Sequence, residues 1–351
     1  MANLVNENDA VPDGINAERV SAWLCGHIDG AVPPFAFAVI AGGRSNLTYK
    51  VTDANGSRYV LRRPPLGHVL ATAHDMGREF KIISGIGTSN VPVAPALGMC
   101  TDLEVNDAPF YVMGYVDGFV LATLPDTVGF SPAQMRTAGE SLIDGLADLH
   151  ALNPDDVGLG DLGKKEDYCL RQLKRWRMQW DNSKNREIPA IEETHRLLSD
   201  RIPLQRYTGI VHGDYRLGNA MVGADGHLMA VLDWELCTLG DTMADLGYVL
   251  MFWTEPGEFN AGRDNEPTLA NGYITKAEAV ERYAQRTGRD VGSIDFYVSL
   301  AYWRLACIAE GVYARYRLGA MGTSQKFDHE GYGSGVVLLA DAALEVAQRL
   351  G

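Results

Sequence analysis

The residues best equipped for chemistry fall in one short stretch, 210–235, which reads IVHGDYRLGNAMVGADGHLMAVLDWE. His212-Gly213-Asp214 follows an apolar lead-in, Asn219 stands five residues after that aspartate, and Asp233 closes a later apolar run. The runs Ala220-Met221-Val222 and Leu228 to Leu232 flank Gly223-Ala224-Asp225-Gly226, a hairpin signal. Pairing them brings Asn219 beside Asp233, with Asp214 in the loop that leads in. Phosphoryl transfer needs such a set. One carboxylate orients an attacking hydroxyl and accepts its proton, while an amide oxygen and a second carboxylate hold Mg²⁺ on a triphosphate. Magnesium takes hard oxygen ligands and keeps water, so two protein ligands suffice. Asp and Asn also favour ordinary turns. The D-x4-N spacing, joined to a hairpin and a third aspartate, is what favours a metal–phosphate site.

The pattern H-G-D-x4-N, hairpin, L-D-W-E resembles the aminoglycoside phosphotransferase family, relatives of the protein kinases. Its wording is also similar to the kinase-like domains found with acyl-CoA dehydrogenases. The resemblance spans most of 36–250 and is densest over 210–247. It implies an α+β, bilobal protein-kinase-like fold. An antiparallel N-lobe over 1–115 would carry the nucleotide-binding sheet, the phosphate loop and one helix. A mainly helical C-lobe over 116–351 would carry the catalytic loop and the acceptor site. It also implies Asp214 as catalytic base, Asn219 and Asp233 as Mg²⁺ ligands, and ATP as co-substrate between the lobes.

The elements that must position these groups are legible around them. Strands are expected over 35–40, 47–52 and 58–62, with Asp53-Ala54-Asn55-Gly56 as a turn. Gly42 and Gly43 let the backbone approach an anion, and Ser45 or Asn46 can donate to phosphate; G-G-x-S-N-x-T-Y resembles the family's phosphate loop. The third strand ends in Arg62-Arg63. Alternation puts these on opposite faces, so only one reaches the site. By resemblance Arg62 replaces the usual phosphate-gripping lysine, a role that a guanidinium can keep with altered geometry. A helix over 74–86 carries Glu79, which the resemblance pairs with that cation. After strands near 96–101 and 109–115, the segment Met113 to Val116 resembles the kinase hinge. Backbone groups at Met113, Tyr115 and Val116 would then hold adenine.

Further along, Ser131 can cap a helix reaching His150, which is expected to act as a C-terminal cap. GLGDLGKK at 158–165 nearly matches a Walker A loop, but Lys165 occupies the Ser/Thr position and no strand precedes it. Helices are expected over 166–180, 191–201, 276–287, 294–318 and 336–350. The basic segment 181–188, and loops 254–272 and 319–335, are candidates to border the second-substrate site. Asp241 or Asp245 is expected to hydrogen-bond the backbone around 212–214, with His212 shaping the loop.

Composition narrows the classes. The net charge of −14 disfavours nucleic acid and anionic membrane as partners. No run of about 18 apolar residues suggests a transmembrane helix. The five cysteines show no C-x-x-C pair, so neither a zinc site nor a disulfide framework is indicated. Together with an N-terminus lacking signal-peptide features, this points to the cytoplasm. The expected partners are ATP and a small-molecule hydroxyl acceptor, a hydroxyacyl thioester or other metabolite ahead of an aminoglycoside. H-G-D replaces H-R-D, D-W-E replaces D-F-G, and no A-P-E follows, which separates the chain from protein kinases. A non-catalytic, pseudokinase-like nucleotide-binding module is the alternative.

Overall fold

The computed structural model describes residues 11–40, 46–67, 75–258, 264–317 and 329–350. Gly43 and Ser45, and parts of the loops 254–272 and 319–335, lie outside the described residues. The N-terminal part starts with helix α1 (Ala17–His27), capped by Asn16, whose side chain accepts from Arg19 N. Strands β1 (Ala36–Val39), β2 (Leu47–Thr52) and β3 (Arg58–Arg63) follow, then helix α2 (Met76–Ile86). Strand β4 (Ala96–Cys100), a short helix α3 (Leu103–Asn106) and strand β5 (Phe110–Gly114) complete this part. The strands form one antiparallel sheet in the order β1-β2-β3-β5-β4. Alternation along them buries Phe37, Tyr49, Val51, Tyr59, Leu61 and Val112 in a cluster with Val20, Trp23 and Leu24 of α1. Helix α2 is capped by Asp75, whose carboxylate accepts from Arg78 N, and it buries Met76, Glu79, Ile82, Ile83 and Ile86.

The C-terminal part is helical around two small ladders. Helices α4 (Pro132–Ala151), α5 (Tyr168–Ser183) and α6 (Pro189–Asp200) come first. Ser131 and Gln134 form a capping box at α4, with proline at its first turn. Strands β6 (Thr208–Val211), β7 (Ala220–Val222), β8 (Leu228–Val231) and β9 (Thr238–Asp241) then frame the catalytic stretch. Helices α7 (Met243–Met251), α8 (Lys276–Thr287), α9 (Ile294–Arg317) and α10 (His329–Ala347) close the chain. Strands β7 and β8 form the expected hairpin, turning through Gly226 at φ 89°. The β6–β9 ladder was not expected, since both strands are four-residue pieces flanking polar loops. The last helix begins at His329 rather than near residue 336. Among the described residues no helix is long and apolar enough to cross a membrane.

Candidate active site

The loop between β6 and β7 carries His212, Asp214 and Asn219, and the turn after β8 carries Asp233. The hairpin register pairs Ala220 with Val231, and Leu232 N donates to Asn219 O at 2.8 Å. Asn219 and Asp233 therefore sit at the same end of the hairpin. Asn219 Nδ2 donates to the Asp214 carboxylate (Oδ2, 2.7 Å) and to Asp214 O (2.9 Å). Those bonds turn Oδ1 of the same amide away from Asp214. Asp233 has φ 63° and ψ 66°, the left-handed region that a non-glycine residue enters only when its surroundings hold it there. Its side chain is 36% exposed and lies 3.7 Å from Arg62 Nη2.

The loop is built from behind by groups distant in sequence. The Asp245 carboxylate accepts from His212 N (2.6 Å) and Gly213 N (2.8 Å), which decides between the two aspartates expected here. Asp241 instead accepts from Met243 N and the Tyr297 hydroxyl. His150 is a correction: its ring is buried, with Nδ1 2.7 Å from the Tyr283 hydroxyl and Nε2 3.3 Å from Asp245. It braces Asp245, and the helix terminus is closed by backbone bonding at Leu152. Burial is the largest influence on both partners. It holds the His150 imidazole below its ordinary value. Asp245 still lies below the usual carboxylate range because His150 and the Gly213 N–H bond its anion. His212 shapes the loop, as expected: Nε2 bonds Leu232 O at 2.9 Å, Nδ1 accepts from Asp214 N at 3.2 Å, and the ring packs on Trp234. Gly213 adopts φ 86°, and a Cβ there would lie 2.9 Å from Leu236 O, so glycine is required before Asp214.

Arg62 faces this cluster and Arg63 does not. Arg62 Nη2 lies 3.6 Å from Glu79 and 3.7 Å from Asp233. Arg63 is buried on the other face, bonding Gly14 O and Asn106 O. Glu79 is held by Asn46 Nδ2 (2.8 Å) and the Tyr111 hydroxyl (3.0 Å). Burial pushes its carboxyl above the ordinary range, against the pull of Arg62. Asn46 was expected to donate to phosphate. Its buried side chain positions Glu79 instead. Arg62 Nε is buried without an acceptor.

Of the three expected adenine contacts, Met113 lies inside the sheet, opposite Val60 and Ala96. Tyr115 N donates to Arg58 O at 3.3 Å. Val116 is the first residue beyond those bonds, two residues after β5 ends at Gly114. Sequence reasoning missed four groups. Tyr111 was findable, since it pairs with Arg62 across the sheet. Arg216 Nε lies 3.3 Å from Asp214 and two residues along, a signal in plain view. Tyr248, whose phenol burial and the Asp214 charge both push up, and Arg304, whose Nη2 donates to Gly213 O at 2.9 Å, carry no local signal. The basic segment 181–188 turns out to be a tertiary anchor at Arg186, which bonds Glu310 and Gly333 O.

Comparison with known proteins gives this geometry its context. Residues 36–296 match the phosphotransferase enzyme family. The chain belongs to that family. The phosphotransferase is 33% identical over 319 residues to acyl-CoA dehydrogenase family member 11 of Gallus gallus, covering 88% of this chain and 40% of that protein. It thus spans well under half the length of that relative. A solved structure assigned to the aminoglycoside phosphotransferases, from Ralstonia eutropha, superposes with a TM-score of 0.81 at 33% identity. That match covers 95% of this chain and 98% of the other. The spectinomycin phosphotransferase bound to ADP and spectinomycin shares the fold at 14% identity, with a TM-score of 0.59 over 94% of this chain and 98% of its own. The bilobal kinase-like fold and the assignment as a phosphotransferase acting on hydroxyl groups follow from these matches.

Proposed function

We propose that the chain transfers the γ-phosphoryl group of ATP to a hydroxyl of a small molecule, with Mg²⁺ on the nucleotide. One observation carries this reading: Asn219 orients Asp214 through Nδ2 and turns Oδ1 away, at the hairpin end that holds strained Asp233. Asp214 then orients the acceptor hydroxyl and takes its proton. Arg216 beside it, and Arg62 with its unmet Nε, supply positive charge where phosphoryl oxygens gather. Glu79, fixed by Asn46 and Tyr111, holds Arg62 in place.

The donors fit a magnesium ion. Asn219 Oδ1 and the Asp233 carboxylate are hard oxygens, and Mg²⁺ completes its shell with water and phosphate. Bound there, it would neutralise charge on the β- and γ-phosphates. Backbone at Val116 is the candidate adenine contact, with Gly43 and Ser45 the candidate phosphate loop by family resemblance. ATP as donor draws on the ADP-bound spectinomycin phosphotransferase. The acceptor favoured is a hydroxyacyl thioester or similar metabolite, given the acyl-CoA dehydrogenase relative. An aminoglycoside is the second candidate, from the structural neighbours. We place the reaction in the cytoplasm.

Calorimetric ADP binding with and without Mg²⁺ tests the metal assignment. Mg²⁺ should tighten ADP at least about ten-fold in the wild type, and Asp233→Asn should lose most of that gain. An Mg²⁺ effect that survives Asp233→Asn unchanged would contradict the assignment.

A further inference from the structure

A cavity of about 680 Å³ opens between α2, the segment 235–238, α5 and α9, with Gly213 of the catalytic loop on its wall. Its charge runs against that of the chain. The protein carries −14 overall, yet Arg78, Lys164, Arg171, Arg175 and Arg304 line this space. The carboxylates that share it are engaged elsewhere. Asp75 caps α2, Glu79 takes bonds from Asn46 and Tyr111, and the charge of Glu235 acts on Arg62. Among the described residues, Arg171, Arg175 and Arg304 form no ion pair with a carboxylate.

Two of these guanidinium groups also hold donors with nothing to bond. Arg171 Nη1 and Arg304 Nε are buried and without a partner. Both groups are otherwise fixed: Arg171 Nη2 donates to Lys164 O at 2.7 Å, and Arg304 Nη2 to Gly213 O at 2.9 Å. The Arg304 guanidinium is further held over the rings of Trp176 (5.5 Å) and Tyr248 (5.3 Å). Unmet buried donors cost stability, and both guanidinium groups line the cavity short of an anionic partner.

We propose that the acceptor molecule is an anion, carrying a phosphate or carboxylate that Arg171, Arg175 and Arg304 hold while its hydroxyl lies at Asp214. This rests on the phosphotransferase reading above and names its substrate class. Arg304 joins the two halves of the site, since it bonds the residue before Asp214 and stacks on Tyr248, which faces Asp214. Guanidinium forks match phosphate and carboxylate alike. A polycationic aminoglycoside would meet like charge close to the protein wall, so the cleft selects against that class. In the transfer, the acceptor O–H proton passes to Asp214 and its oxygen bonds the γ-phosphorus. The bond from that phosphorus to the β–γ bridging oxygen breaks, its electron pair leaving on ADP.

Glycerol 3-phosphate, glycerate, glycerol and serinol present hydroxyls with phosphate, carboxylate, neutral and cationic character. Their binding to the full chain saturated with ADP and Mg²⁺ can be measured by calorimetry at millimolar concentration. The two anions should bind at least about ten-fold tighter than glycerol, with serinol weakest, and their relative affinity tells which anionic group is preferred. Arg304→Gln should remove most of that preference. So should Arg175→Ala at an exposed helix position, with retained ADP affinity marking a folded protein. Equal binding of glycerol and the anions, no binding by either anion, or a preference for serinol overturns the proposal. Anion preference without ATP-dependent phosphorylation of any acceptor would instead tell against the phosphotransferase chemistry while leaving the anion site standing.

Discussion

Asp245 sets the geometry of the catalytic loop without reaching the reacting atoms. Both its oxygens receive backbone N–H groups of His212 and Gly213, and His150 braces it from the other side. An asparagine keeps one oxygen, so Asp245→Asn should cost about 1.5–3 kcal/mol, read as a lower urea midpoint, and slow turnover with it. A midpoint equal to wild type would show that the loop holds itself. The pair also predicts the acid limb of stability. His150 and Asp245 both titrate below their ordinary values in the fold, so the unfolded chain binds protons more readily and stability falls with falling pH. The His150 contribution is present above the ordinary imidazole value of 6.5 and is lost as pH drops through the lowered native one. Urea midpoints from about pH 7 to pH 5 should therefore fall less steeply in His150→Gln. An unchanged slope would remove His150 from the linkage. Asp214, Asn219 and Asp233 were legible because their spacing is local. His150 and Arg304 were not, because they arrive from helices 62 or more residues away in sequence.

At the scale of elements, the site depends on how closely α7 approaches α9, since α7 carries Asp245 and α9 carries Arg304. Gly247 permits that approach. A Cβ there would lie 2.5 Å from the Tyr297 backbone carbon, an atom that cannot step aside. Gly247→Ala should push the helices apart at a cost of about 1–3 kcal/mol in urea unfolding and should displace the loop behind Asp214. Full stability with full turnover would show that the crossing is looser than it looks. The helices themselves were readable: Ser131 caps α4 with proline at its first turn, as the sequence indicates. The β7–β8 hairpin announced itself through two apolar runs about a glycine-containing turn. The β6–β9 ladder did not, because its pairing joins segments about 30 residues apart through tertiary contact. Arg62 and Arg63 show the limit of alternation. It separates the two faces, and only the position of α2 says which one meets Glu79.

For the molecule as a whole, the antiparallel sheet with α2 and the helical part meet where Arg62, Glu79 and Asp233 converge, and where Arg78 Nη2 donates to Cys237 O at 2.7 Å. The two-part plan was legible because strands and helices segregate along the chain. The cationic cleft was not, since Arg171, Arg175 and Arg304 are gathered by the α5–α9 packing within an acidic chain. The central claim is that Asp214 serves a phosphoryl transfer from ATP to a hydroxyl. Its most direct measurement is Mg²⁺-dependent ADP release across hydroxyacyl thioesters, small hydroxy acids, aminoglycosides and amino alcohols, in wild type and Asp214→Ala. Release that depends on an acceptor, falls by at least about 100-fold in Asp214→Ala, and leaves ADP binding intact is the predicted result. Acceptor-dependent release that persists in Asp214→Ala, or ATP binding that no acceptor converts to turnover, would contradict it.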